Sequence, residues 1–92
     1  SQPLKFSSHS KQIRCISICP FRDRLVASVA EDGILVIRDT KLGNSTEPRF
    51  SLKLADIPSA VCWESDAKLI VGLRNGCVER ITIGNRTPDV LI

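Results

Sequence analysis

The sequence predicts an all-β chain made of two like, four-stranded antiparallel sheets. Three observations carry that expectation. From Leu25 to Thr40 the chain reads LVASVAEDGILVIRDT, two β-branched runs joined by a tight Asp-Gly turn, which is the pattern of a hairpin. A weaker copy returns from Leu69 to Ile83 as LIVGLRNGCVERITI, with Asn75-Gly76 where Asp32-Gly33 stood. No segment keeps apolar residues at helical spacing between capping residues, so essentially no helix is expected.

Taken in order, Pro3 to Phe6 is a short outer strand and Ser7-Ser8-His9-Ser10 a polar turn. Gln12 to Pro20 reads QIRCISICP, a strand with Ile13, Ile16 and Ile18 as apolar anchors and Cys15 and Cys19 on the face opposite Ile16 and Ile18, both faces expected to be buried. Pro20 cannot donate to a strand ladder, so the strand stops there. Arg24 to Val29 is the second strand. Glu31-Asp32-Gly33 reverses the chain, because Asp tolerates turn geometry and Gly takes positive φ without a Cβ penalty. Ile34 to Arg38 runs back, Asp39 to Arg49 is a polar connection, and Phe50 to Leu54 alternates as an outer strand with one wet face. The pattern then restarts. Ile57, Ala60 and Cys62 follow Ile13, Ile16 and Ile18 by 44 residues, as Leu69 and Gly72 follow Leu25 and Ser28. One deletion in the turn puts Gly76 43 residues after Gly33, and Thr87 to Ile92 is the last outer strand. A period in the low forties with four strands per unit marks a propeller blade. Residues 1–10 are thus an outer strand and loop, 11–55 a first blade and 56–92 a second, all parts of one β-propeller. The competing architecture is a small closed barrel or sandwich of about seven strands.

These residues resemble the WD40 repeat family. The first unit carries His9, the I-x-x-I-x-I-x-P stretch from Ile13 to Pro20, Leu25 to Ser28, Asp32-Gly33, and Arg38-Asp39 where the family usually has Trp-Asp. The resemblance implies a structural hydrogen-bond relay through His9, Ser28 and Asp32, truncated by Arg38 in place of the Trp. In the second unit Gly72, Asn75 and Ile81-Thr82 stand for the Ser, the Asp and the Trp-Asp pair, so no relay is expected there. It further implies a non-enzymatic scaffold that presents loops to partner proteins within a multiprotein complex. By position, Arg14 and Glu31, with Pro58 and Arg74 as their second-blade counterparts, are the expected partner contacts.

Composition narrows the function classes. The chain has 92 residues, 42% hydrophobic and 25% charged, as an ordinary globular domain has. Its longest apolar runs fall far short of the roughly 18 residues of a membrane span, so no membrane contact is expected. The net charge of +3 is spread without a basic run and the aromatic residues are few, so direct nucleic-acid contact, as in an RNA-processing or chromatin assembly, is the alternative reading and not the first. Cys15, Cys19, Cys62 and Cys77 lie in or beside apolar strand-like runs with no C-x-x-C pair. They read as buried thiols of a reducing compartment, cytoplasm or nucleus. Cys15-x-x-x-Cys19 with His9 lacks a sensibly spaced fourth ligand, and neither metal nor cofactor is expected. Ser28 lies within a strand with no nucleophile elbow, so His9, Ser28 and Asp32 are not read as a hydrolase triad, and no catalytic residue is assigned. Sequons occur at Asn44-Ser45-Thr46 and Asn85-Arg86-Thr87.

Two blades leave two sheet faces open. If roughly 400 Å² of apolar area stayed wet on each, about 10 kcal/mol of burial would be lost per face. Partners are therefore expected to include further blades, from the parent chain, another chain or copies of this one.

Overall fold

A computed structural model describes residues 11–21, 25–40 and 48–92. Eight strands make two four-stranded antiparallel sheets, and there is no α-helix among the described residues. The first sheet runs β1 (Ile13–Ile18), β2 (Leu25–Ala30), β3 (Ile34–Asp39) and β4 (Phe50–Lys53). The second runs β5 (Pro58–Trp63), β6 (Lys68–Leu73), β7 (Val78–Thr82) and β8 (Asp89–Val90). In both, spatial order follows chain order, so each sheet is a simple meander. The expected outer strand at Pro3 to Phe6, with His9 and Asn44, lies outside the described residues.

Both sheets use the same turn chemistry. Gly33 and Gly76 have φ of 77° and 92°, and their N–H groups donate to the carbonyls of Ala30 and Leu73 at 3.0 Å. The residue before each glycine closes the turn: Asp32 Oδ1 accepts from Ile34 N–H at 3.0 Å, Asn75 Oδ1 from Cys77 N–H at 2.9 Å. Each sheet also carries one irregularity near the start of its first strand, between Ile13 and Cys15 and between Pro58 and Ala60.

Those shared landmarks fix the alignment of the sheets. Ile13 pairs with Ala30 as Pro58 pairs with Leu73, and Ile16 pairs with Ser28 as Val61 pairs with Val71. The repeat is therefore 45 residues along the first strand and 43 along the second and third. The 44-residue spacing expected for the first two strands errs by one residue on each, while the 43-residue spacing expected from the turn onward holds. Val71, not Gly72, stands at the place of Ser28; Ser59, not Pro58, at that of Arg14. The connection after β5 is shorter than that after β1, which moves the register by two between first and second strands.

Strand alternation sorts the residues onto faces. Leu25, Ala27, Val29, Leu35, Ile37, Phe50 and Leu52 of the first sheet join Val61, Trp63, Leu69, Val71, Leu73 and Ile81 of the second in one buried cluster. β5 lies against β1 and β2, so this cluster is the seam between the sheets. The indole Nε1–H of Trp63 donates to the Ser17 carbonyl across the seam at 3.0 Å. At its outer end Arg86 donates to the Ser51 carbonyl at 3.0 Å, its guanidinium carbon 5.7 Å from the Phe50 ring centroid. Glu79 also sits on the seam face, opposite Val71, 6% exposed and with no partner for Oε1.

The expectation that both faces of β1 are buried is corrected. Ile16 and Ile18 are 48% and 67% exposed on the face turned away from the second sheet, although their cross-strand partners on that face, Ser28 and Val26, are buried. Cys15 packs against the seam and Cys19 is buried in it. On β5 the same alternation leaves Ala60 and Cys62 exposed and buries Val61 and Trp63. All four cysteines are free thiols.

Candidate functional site

The turn ends of the sheets meet in a groove. Two backbone bonds, at matched positions, tie each β-turn to the lead-in of its own sheet: Glu31 N–H to the Gln12 carbonyl at 3.0 Å, Arg74 N–H to the Ile57 carbonyl at 2.8 Å. Each turn is thereby held beside the first strand of its own sheet, and the seam sets the two first strands side by side. Between them lies a cleft of about 250 Å³ lined by Lys11, Arg14, Glu31, Ile57, Pro58, Ser59 and Arg74. Arg14, Glu31, Pro58 and Arg74, singled out by sequence position, thus border one cavity.

Their roles in it differ. Arg14 Nη1 lies 3.4 Å from Glu31 Oε1, with the two side chains 49% and 40% exposed. Arg74 Nη2 lies 3.7 Å from Asp56 Oδ1, with Arg74 69% exposed and Asp56 25%. Pro58 is fully buried and offers the cleft a wall, not an accessible side chain. Ser59 takes the exposed place that Arg14 holds in the first sheet, its hydroxyl donating to the Gly72 carbonyl at 3.2 Å. Sequence reasoning missed Lys11, Ile57 and Ser59, since no single-residue signal marks them; the shared irregularity in the first strands, visible only in the pairing, identifies Ser59.

A second cleft of about 460 Å³ adjoins the first and shares Lys11, Glu31 and Ile57 with it. Its other lining residues include Asp32, Lys53 and Asp56. Lys53 Nζ donates to the Asp32 carbonyl at 2.7 Å, and Asp56 Oδ1 accepts from the Ile57 N–H at 2.7 Å, which shapes the lead-in to β5.

Of the relay residues, Ser28 is fully buried on β2 and Asp32 closes the β2–β3 turn; His9 lies outside the described residues. Among the described residues no three metal-binding side chains gather, and no helix is long and apolar enough to cross a membrane.

No family model matches the chain. It is 31% identical over 87 residues to the methylosome protein WDR77 of Xenopus laevis, a WD40 protein. The match takes in 91% of this chain and 25% of that protein, so the chain spans about a quarter of the length of the curated relative it matches. Two four-stranded meanders with the same turns, the same strand irregularities and a common seam, together with that similarity, make this chain WD40-like: its sheets are two degenerate blades of an unclosed β-propeller.

Proposed function

We propose that the chain is part of a non-enzymatic protein-interaction scaffold, whose partner-binding surface is the groove at the turn ends of the two blades. The observation that carries the reading is the convergence of Arg14, Glu31, Pro58 and Arg74, from both blades, on one cleft. Rigid sheets that hold exposed, charged turn residues in fixed positions suit recognition, because little ordering entropy is lost when a partner docks. The similarity to a protein named for the methylosome supports a role within a multiprotein complex. The four free thiols support a reducing setting, cytoplasm or nucleus.

The same reading assigns residues 11–55 and 56–92 to successive blades, with 1–10 as an outer strand and loop, and His9, Ser28 and Asp32 to a relay that rigidifies the first. Further blades cover the outward face of the second sheet and, on the first, the exposed side at Ile16 and Ile18, since Val26, Ser28, Ala30 and Val36 on that face are already buried. The outward residues Cys62, Ile70 and Val78 stand where Ser17, Ala27 and Leu35 face the seam, and Ile16 and Ile18 stand where Val61 and Trp63 do. Each outward face thus repeats the kind of surface already buried between the blades.

Co-purification from cells tests the scaffold reading, with tagged protein compared against its R14E/R74E variant. Partners retained by the wild type and lost by the variant at equal expression are expected. An identical set of partners overturns the assignment of the groove.

A further inference from the structure

We propose that the cleft between the blades takes a carboxylate side chain from an extended segment of the partner, bound by Lys11, Arg14 and Arg74. The inference rests on the scaffold reading and adds the chemistry of what is recognised. Three cations and one carboxylate, Glu31, line the cleft. Both arginines are under-used: each makes one long ion-pair contact, at 3.4 and 3.7 Å, where a guanidinium has five donors and suits bidentate carboxylates. Lys11 is exposed and has no ion-pair partner among the described residues.

The excess of positive charge comes from a reversal between the blades. In the first, the strand carries the cation, Arg14, and the turn carries the acid, Glu31. In the second, the turn carries the cation, Arg74, and the lead-in carries the acid, Asp56, at the place of Lys11. Had the second blade kept the polarity of the first, a cation would stand at Ser59 and an acid at Arg74, and the excess of cations over carboxylates in the cleft would fall from two to one. Reversal puts the turn cation of one blade beside the strand cation of the other.

The adjoining cleft decides the class of partner. Glu31, Asp32 and Asp56 line it against Lys11 and Lys53. A nucleic-acid strand, with a negative charge at every step, would meet that acidic stretch as it left the cationic one. A peptide with one acidic residue does not, and half-buried Ile57, common to both clefts, offers an apolar contact beside the charge.

Fluorescence anisotropy on the full protein tests the proposal with three fluorescein-labelled octapeptide pools, randomised over small and apolar residues and fixed at one central position as Glu, Gln or Lys. A uridine-only RNA is the fourth probe. The Glu pool is expected to bind about tenfold more tightly than the Gln pool. R74A should cut that preference about fivefold, and K68E, an exposed site outside both clefts, should leave it intact. Circular dichroism confirms that each variant is folded. Equal binding of the Glu and Gln pools, both lost in R14E/R74E, overturns the carboxylate while leaving the scaffold reading in place. Tighter binding of the Lys pool or of the RNA overturns it too, as does no difference between pools at millimolar peptide.

Discussion

Trp63 is the sharpest test of the seam, because a single side chain both fills it and bonds across it. The ring is 6% exposed and its Nε1–H reaches the Ser17 carbonyl of the other sheet at 3.0 Å. A buried Trp removes about 150–250 Å² from water, roughly 4–6 kcal/mol at 25 cal/mol/Å², and an extended-chain reference makes that an upper bound. Trp63→Ala should therefore cost about 3–5 kcal/mol, since relaxation around the cavity is partial. Trp63→Phe keeps most of the volume but loses the cross-sheet bond, while Ser17 keeps its ladder pairing with Ala27, for a cost of about 0.5–1.5 kcal/mol. Urea unfolding followed by far-ultraviolet circular dichroism measures both without relying on Trp fluorescence. The midpoint should fall in the order wild type, W63F, W63A, with the slope unchanged. A W63A cost below about 1 kcal/mol would show that the sheets are not joined through this ring. W63F matching wild type would show that the indole bond contributes nothing.

Other positions give equally direct outcomes. Gly33→Ala meets both a φ of +77° and Lys53 Nζ at 3.2 Å, whereas Gly76→Ala, at +92°, meets nothing within 4 Å; both should destabilise by about 1–2 kcal/mol, with G33A the worse in urea titrations. Glu79→Val installs in the second blade the residue that the first has at the matched place, Val36, and removes a buried oxygen without a partner; unfolding experiments should show a gain of about 1–3 kcal/mol. A double-mutant cycle on Arg14 and Glu31 should return only about 0.2–1 kcal/mol, as exposed pairs do, so loss of partner binding in R14E/R74E would not be a folding defect. Cys62 reports on the outward face of the second blade: if a further blade covers it, maleimide should label this thiol in the full protein no faster than buried Cys19, and rapid native labelling would show the face to be open.

The architecture was legible because it is written in local chemistry. Asp32-Gly33 and Asn75-Gly76 announce the two hairpins, and β-branched runs on either side announce strands. Strand ends were legible to within a residue or two: of the expected Thr87 to Ile92, Asp89–Val90 forms β8, and Leu91 and Ile92 still bond the backbone of Val78 on β7. Register was harder. A 44-residue spacing over the first two strands hides their opposed one-residue shifts, and so aligns Pro58 with Arg14 although it corresponds to Ile13. Nor does alternation say which apolar face meets the other sheet: Ile16 and Ile18 are as apolar as Val29 and Leu35, yet only the latter pair is buried in the seam. The seam role of Trp63 and the misplaced carboxylate of Glu79 depend on how two sheets stack, which a strand pattern does not encode.

Seam and groove are linked physically. The cleft is bounded by two first strands and two turns, and neither blade alone contributes Arg14 and Arg74. Their relative position is therefore set by the packing of β5 on β1 and β2, with Trp63 its cross-sheet tie. A seam variant that stays folded but shifts β5 should weaken any partner that touches both arginines, while leaving the Arg14–Glu31 and Arg74–Asp56 pairs intact, because each pair lies within one blade. W63F is that variant. Its effect on peptide affinity, compared with its effect on the two intrablade pairs, separates a recognition surface built across the blades from one that either blade could present by itself.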